Sequence, residues 1–97
     1  MNKKKTRCTD RDIDELVAVF VHITNVQDME KFLRDILTED ELKEFSLRWK
    51  AVRMLFAGMS YKKVELATGM SSTTIARAKK WLVGGYGSFR KILKSLS

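Results

Sequence analysis

The feature that most constrains this chain is the segment from Thr38 to about Ala57, which reads as one long helix with more apolar surface than a single partner helix covers. Thr38-Glu39-Asp40-Glu41 places a hydroxyl at the N-cap position and a glutamate three residues on, the pattern of a capping box. The carboxylates of this first turn also complement the positive end of the helix dipole. Gly58 suits the position just past the last turn, where a left-handed backbone ends many helices. Between these limits Leu42, Phe45, Trp49, Val52, Phe56 and Met59 recur at alternating steps of three and four, the spacing of a seam against another helix. Leu47 and Leu55 lie off that seam and widen the apolar surface. A chain of 97 residues supplies few partner helices of its own, so an interlocked dimer is the economical arrangement.

The rest of the chain reads as helices too, and no segment carries a strand pattern. Thr9 or Asp10 opens a stripe of Ile13, Leu16, Val17, Phe20 and Ile23. Asn25 interrupts it, and Met29, Phe32, Leu33 and Ile36 form a second stripe. Past Gly58, Ser60 caps a short helix that Gly69 ends. Ser71 or Ser72 caps another, running to about Leu82. The glycine-rich turn Val83-Gly84-Gly85-Tyr86-Gly87 precedes a last helix over about 88–96. With no proline anywhere, nothing contradicts an all-α chain. The domain reading is a flexible basic arm over residues 1–8 and a single helical domain over 9–97.

Charge is distributed unevenly. Residues 1–59 hold eleven Lys/Arg against eleven Asp/Glu, while residues 60–97 hold eight Lys/Arg against Glu65 alone. The whole net charge of +7 therefore sits in the C-terminal part. A one-sided basic field suits a phosphate backbone, although surface lysine also serves solubility.

Two short helices meeting at Gly69-Met70-Ser71 read as a helix-turn-helix over about 61–82. Glycine permits the positive φ of a tight turn, and Met70 plugs the angle between the helices. An ordinary helical hairpin has a similar outline, but here cap, turn and basic charge coincide. At 100° per residue, Ile75, Ala78 and Leu82 share one face of the second helix and Thr73, Ala76, Arg77 and Lys80 share the other. Small residues let such a helix enter a major groove. Threonine hydrogen-bonds base edges, and lysine and arginine reach phosphates or guanine. Lys62 and Lys63 on the preceding helix are candidates for backbone contacts.

These residues carry a resemblance. Leu37-Thr38-Glu39-Asp40-Glu41, Arg48, Gly58-Met59-Ser60, Gly69 and Thr73-Thr74-Ile75-Ala76-Arg77 resemble the Trp repressor family, in its Trp-repressor-like (YerC/YecD) branch. The likeness is strong over 38–82, and the flanking helices agree in pattern only. It implies a six-helix intertwined dimer from which a helix-turn-helix projects on each side. It places Lys62 at a backbone contact and Ser72, Thr73 and Ala76 at bases. Glu65 falls where the tryptophan-binding member has a basic contact. The family's tryptophan-binding members sandwich the co-repressor indole between two arginines. Arg48 and Arg77 match those positions, and Thr38 matches a residue near the ligand's polar end. Ala78 stands in place of the pocket glycine and Trp81 in place of a small serine, so both add bulk to this possible effector pocket. Arg77 and Trp81, four residues apart, are expected to stack through a cation–π contact. Trp81 then occupies space that a ligand's indole fills elsewhere, and free L-tryptophan is not expected to be a strong co-repressor. The alternative is that Trp81 points into the core or toward DNA and leaves the pocket unformed. Arg48, likewise, reads equally as a surface cation.

Other classes of function find little here. His22 is the sole histidine, Cys8 the sole cysteine, and no set of residues has metal-site spacing or forms a nucleophile–base pair, so no cofactor and no enzyme activity is expected. The longest apolar run, Leu16 to Val21, is far short of a membrane span, and acids follow the basic N-terminus where a secretion signal needs apolar residues. The expectation is a cytoplasmic, homodimeric transcriptional regulator, a repressor of an inverted-repeat operator in double-stranded DNA. The runner-up is a helical protein–protein adaptor without specific DNA binding.

Overall fold

A computed structural model describes residues 7–97 and gives six α-helices among them. They are α1 (Asp10–His22), α2 (Val26–Ile36), α3 (Glu39–Phe56), α4 (Tyr61–Thr68), α5 (Ser72–Val83) and α6 (Ser88–Leu96). The expected arm falls largely outside the described residues. Its last two members, Arg7 and Cys8, are exposed and precede the first helix. The chain forms two compact units, divided between Thr38 and Glu39.

In the first unit, α1 opens with a capping box: the Asp12 N–H donates to Thr9 Oγ1 at 3.3 Å, and the Thr9 N–H donates to Asp12 Oδ2 at 2.9 Å. Asn25 does more than interrupt a stripe. Its Oδ1 accepts the Asp28 N–H at 2.8 Å, so the break between α1 and α2 is also the N-cap of α2. Phe20 and Phe32 meet edge to face with centroids 5.6 Å apart. Neither helix buries a residue fully, and Ile13, Val17, Val21 and Val26 remain 52%, 53%, 77% and 77% exposed.

The second unit contains the core. Ala51, Val52, Leu55, Val64, Ile75, Ala78, Leu82 and Leu93 are its buried apolar residues, with Trp49, Met54, Met70 and Phe89 packed around them. The C-terminal half of α3 is the central element, and α4, α5 and α6 all pack against it. The surface that α3 uses within one chain is part of the expected one. Val52 of the seam and Leu55 beside it are buried and Trp49 and Phe56 pack on the core, while Phe45, on the same seam, is 47% exposed. Three short helices crowd one end of a long one, so burial is decided by position along α3 as well as by angle around it.

The end of α3 is closed by backbone alone. The Met59 N–H donates to the Met54 carbonyl and the Gly58 N–H to the Leu55 carbonyl, with Gly58 at φ 85°. This is the Schellman arrangement that the glycine permits.

A candidate nucleic-acid interface

The α4–turn–α5 segment is built by three local devices. Ser60 caps α4 by accepting the Lys63 N–H at 3.2 Å, and Ser71 caps α5 by accepting the Thr74 N–H at 3.2 Å. Gly69 ends α4 at φ 74°, ψ 7°, a left-handed conformation in which any side chain is strained. The third device was not legible in the sequence. Thr68 is buried. Its hydroxyl donates to the Val64 carbonyl at 2.7 Å and accepts the Met70 N–H at 3.2 Å. One hydroxyl thus ties the last turn of α4 to the turn that follows. A threonine at a helix end is commonplace, so only its burial marks it out.

Packing then fixes the pair on α3. Ile75 and Ala78 are fully buried and Leu82 is 4% exposed, the face expected from helical periodicity. Val64 on α4 is fully buried, and Met70 packs at the edge of the same cluster. Lys50 on α3 reaches the Ala67 carbonyl at 3.4 Å, placing a cation at the negative end of α4.

With that face buried, the rest of α5 is turned outward. Ser72, Thr73, Arg77 and Lys80 are exposed, and Ala76 is half-buried beside them. Lys62 and Lys63 are exposed on α4. The ion pairs Arg11–Glu15, Arg34–Glu30 and Arg48–Glu44 involve none of these four cations. The surface thus presents hydroxyls and a methyl at the N-terminal end of α5, followed by uncompensated cations.

The expected effector residues are brought together only in part. Arg48 and Trp81 are in contact: the Arg48 guanidinium carbon lies 5.0 Å from the centroid of the Trp81 ring and 5.1 Å from that of Phe45. Glu44 Oε2 accepts from Arg48 Nη2 at 3.0 Å. This corrects one expectation, for the cation on Trp81 is Arg48 rather than Arg77. Spacing along one helix sees only neighbours on that helix, whereas packing of α5 on α3 presents Trp81 to a residue far away in sequence. Ala78 is a core residue with no exposed surface, Arg77 is exposed, and Thr38 belongs to the other unit. Beside Trp81 a recess of about 290 Å³ is lined by Gly85, Tyr86, Gly87, Ser88 and Phe89. Among the described residues, no group of three or more His, Cys, Asp or Glu side chains is placed to hold a metal ion, and no helix is long and apolar enough to cross a membrane.

The architecture is that of a TrpR-like all-α protein. It resembles the crystal structure of a TrpR-like protein from Eubacterium eligens with a TM-score of 0.84, over 91% of this chain and 90% of that one, at 23% sequence identity. In sequence, the Bacillus subtilis protein YerC is 29% identical over 83 residues, which cover 86% of this chain and 80% of YerC. The family model for Trp repressor protein matches residues 11–97. The chain belongs to the Trp repressor family.

Proposed function

We propose that this protein is a sequence-specific DNA-binding transcriptional regulator, a repressor acting as an intertwined homodimer on an inverted-repeat operator in the cytoplasm. The observation that carries the reading is the exposed face of α5. Ser72, Thr73, Arg77 and Lys80 stand outward from a helix whose opposite face is fully buried and whose entry angle is set by Gly69. Ser72, Thr73 and Ala76 meet base edges, Arg77 and Lys80 reach guanine or phosphate, and Lys62 and Lys63 hold the backbone. Membership of the Trp repressor family supports a regulator over an enzyme.

Residues 9–97 act as one helical domain in the dimer, with the helix-turn-helix over 61–82 as its reading head and residues 1–8 as a basic arm. The exposed apolar residues of α1 and α2 support a second copy as the partner that covers them. Two-fold symmetry then spaces the half-sites about one helical turn, ~34 Å, apart. Arg48, Arg77, Ala78, Trp81 and Thr38 mark the region where an effector would act. Trp81 already provides an indole to Arg48, so the reading head is held without a tryptophan ligand.

The test is fluorescence anisotropy with the chromosomal DNA upstream of the protein's own coding region, against random duplex of equal length. Preferential, salt-dependent binding of the upstream fragment is the expected result. Equal affinity for both refutes sequence specificity. Binding to neither, with a tight protein partner instead, favours a helical adaptor.

A further inference from the structure

A second group of cations lies at the far end of α5. Arg90, Lys91 and Lys94 fall within about 100° of arc on α6. With Leu82, Val83 and Gly87 they line an open groove of about 320 Å³ where α5 gives way to α6. No carboxylate lines this groove, and none of the three cations takes part in the ion pairs of the described residues. From Leu66 to Ser97 the chain has six Lys/Arg and no Asp or Glu.

The orientation of this face is fixed from the other side of the helix. Leu93 is buried and Phe89 packs on the core, with the Phe89 and Trp49 rings 6.0 Å apart. The cations are therefore held outward by packing. Like charges three and four residues apart repel one another. No ion pair among the described residues offsets that repulsion, and a polyanion would. Arg90 and Lys94 are separated by about 6 Å of helix rise.

We infer that the Arg90–Lys91–Lys94 groove is a second contact for the DNA backbone, gripping phosphates that flank the segment read by α5. This rests on the DNA-binding function proposed above and extends the binding surface beyond the helix-turn-helix. The groove offers charge and an open floor, and no small hydrogen-bonding set that could tell one base from another. It contributes affinity and salt dependence without sequence preference.

The test uses the full-length chain carrying Arg90→Gln, Lys91→Gln and Lys94→Gln, with thermal melting as the check on folding. Affinity is measured against salt concentration on the upstream fragment and on random duplex. Affinity for both is expected to fall by the same factor, and the slope of log K against log salt to flatten by about 0.9 for each phosphate no longer neutralised. If the triple variant does not fold, Lys91→Gln and Lys94→Gln singly should each flatten it by about 0.9, with Arg90→Lys keeping the wild-type slope. Wild-type affinity and slope in the substituted protein, where the parent binds DNA, would overturn the inference and leave the proposed function standing. A loss confined to the upstream fragment would overturn the backbone assignment. A parent chain that binds neither duplex refutes the proposed function, and this inference with it.

Discussion

The Arg48 guanidinium lies on the face of Trp81, 5.0 Å from the ring centroid, and so joins the middle of α3 to the C-terminal half of α5. The pair is half-buried, and Phe45 flanks the same cation at 5.1 Å. A double-mutant cycle with Arg48→Ala and Trp81→Ala should give a coupling of about 0.5–1 kcal/mol, the range for a partly solvated cation–π pair. Urea denaturation of the four proteins measures it. The exposed Glu44 carboxylate should contribute only a few tenths of a kcal/mol to this arrangement.

The Arg48–Trp81 contact also motivates a prediction about tryptophan. Titration calorimetry with free L-tryptophan, with and without DNA, should detect no binding that strengthens DNA affinity. Ala78 is fully buried, so there is no slack in which to enlarge a site without moving the core. The double substitution Ala78→Gly/Trp81→Ser opens the space and should create tryptophan binding. Micromolar binding by the unaltered chain would refute this account.

Substitutions on opposite faces of α5 should separate folding from reading. Ile75→Ala removes a fully buried side chain and should cost about 2–5 kcal/mol. Thr73→Ala, on the exposed face, should leave the melting temperature nearly unchanged while reducing the preference for operator over random duplex. Lys62→Ala and Lys63→Ala should weaken binding to every sequence, and each should flatten the salt slope by about one unit as one phosphate goes unneutralised. If the lysine and Thr73 changes shift both duplexes alike, these roles are wrongly assigned.

Thr68→Val tests the turn. The variant keeps the shape of the side chain but leaves the Met70 N–H without its hydroxyl acceptor and the Val64 carbonyl without that donor. A loss of about 1–3 kcal/mol is expected, with Thr68→Ser retaining most of the stability. An unchanged urea midpoint in Thr68→Val would mean that water replaces the hydroxyl.

Much of this molecule was legible wherever the controlling interaction is local. Ser60, Gly69 and Gly58 act within a few residues of themselves, so the C-terminal end of α3 and both ends of α4 follow from sequence. The buried trio Ile75, Ala78 and Leu82 follows from helical periodicity, because α5 lies flat on α3 and needs one continuous stripe. Interactions between helices were less accessible. Arg77 and Arg48 are both arginines at reasonable positions, and only the packing of α5 on α3 selects Arg48 as the neighbour of Trp81. The stripe on α1 shows a further limit. Its periodicity gives the helix correctly, yet in one copy of the chain Ile13 and Val17 remain about half exposed, at 52% and 53%. An amphipathic pattern says that a face is apolar and leaves open what covers it. The candidate DNA-reading residues were placed on an exposed face by the same periodicity that placed the core opposite them.

Sedimentation equilibrium on the full chain bears on that α1 face. A dimer at micromolar concentration, with a melting temperature that rises with protein concentration, is the expected behaviour. A folded monomer under these conditions would remove the second copy as the cover for α1 and α2.

The division of α5 into a buried face and an exposed one also bears on how such a protein diverges. Ile75, Ala78 and Leu82 hold the helix, while Thr73, Arg77 and Lys80 stand outside the packing on which the core depends. Substitutions at the outward positions are therefore cheap in stability, and a duplicated copy could acquire a new target sequence in a few steps while inheriting its scaffold intact. The positions around Gly69 and Thr68 lack that freedom, since a change there tilts every outward side chain at once. Descendants of one ancestral chain should thus vary at the reading positions and stay uniform at the hinge between the two helices.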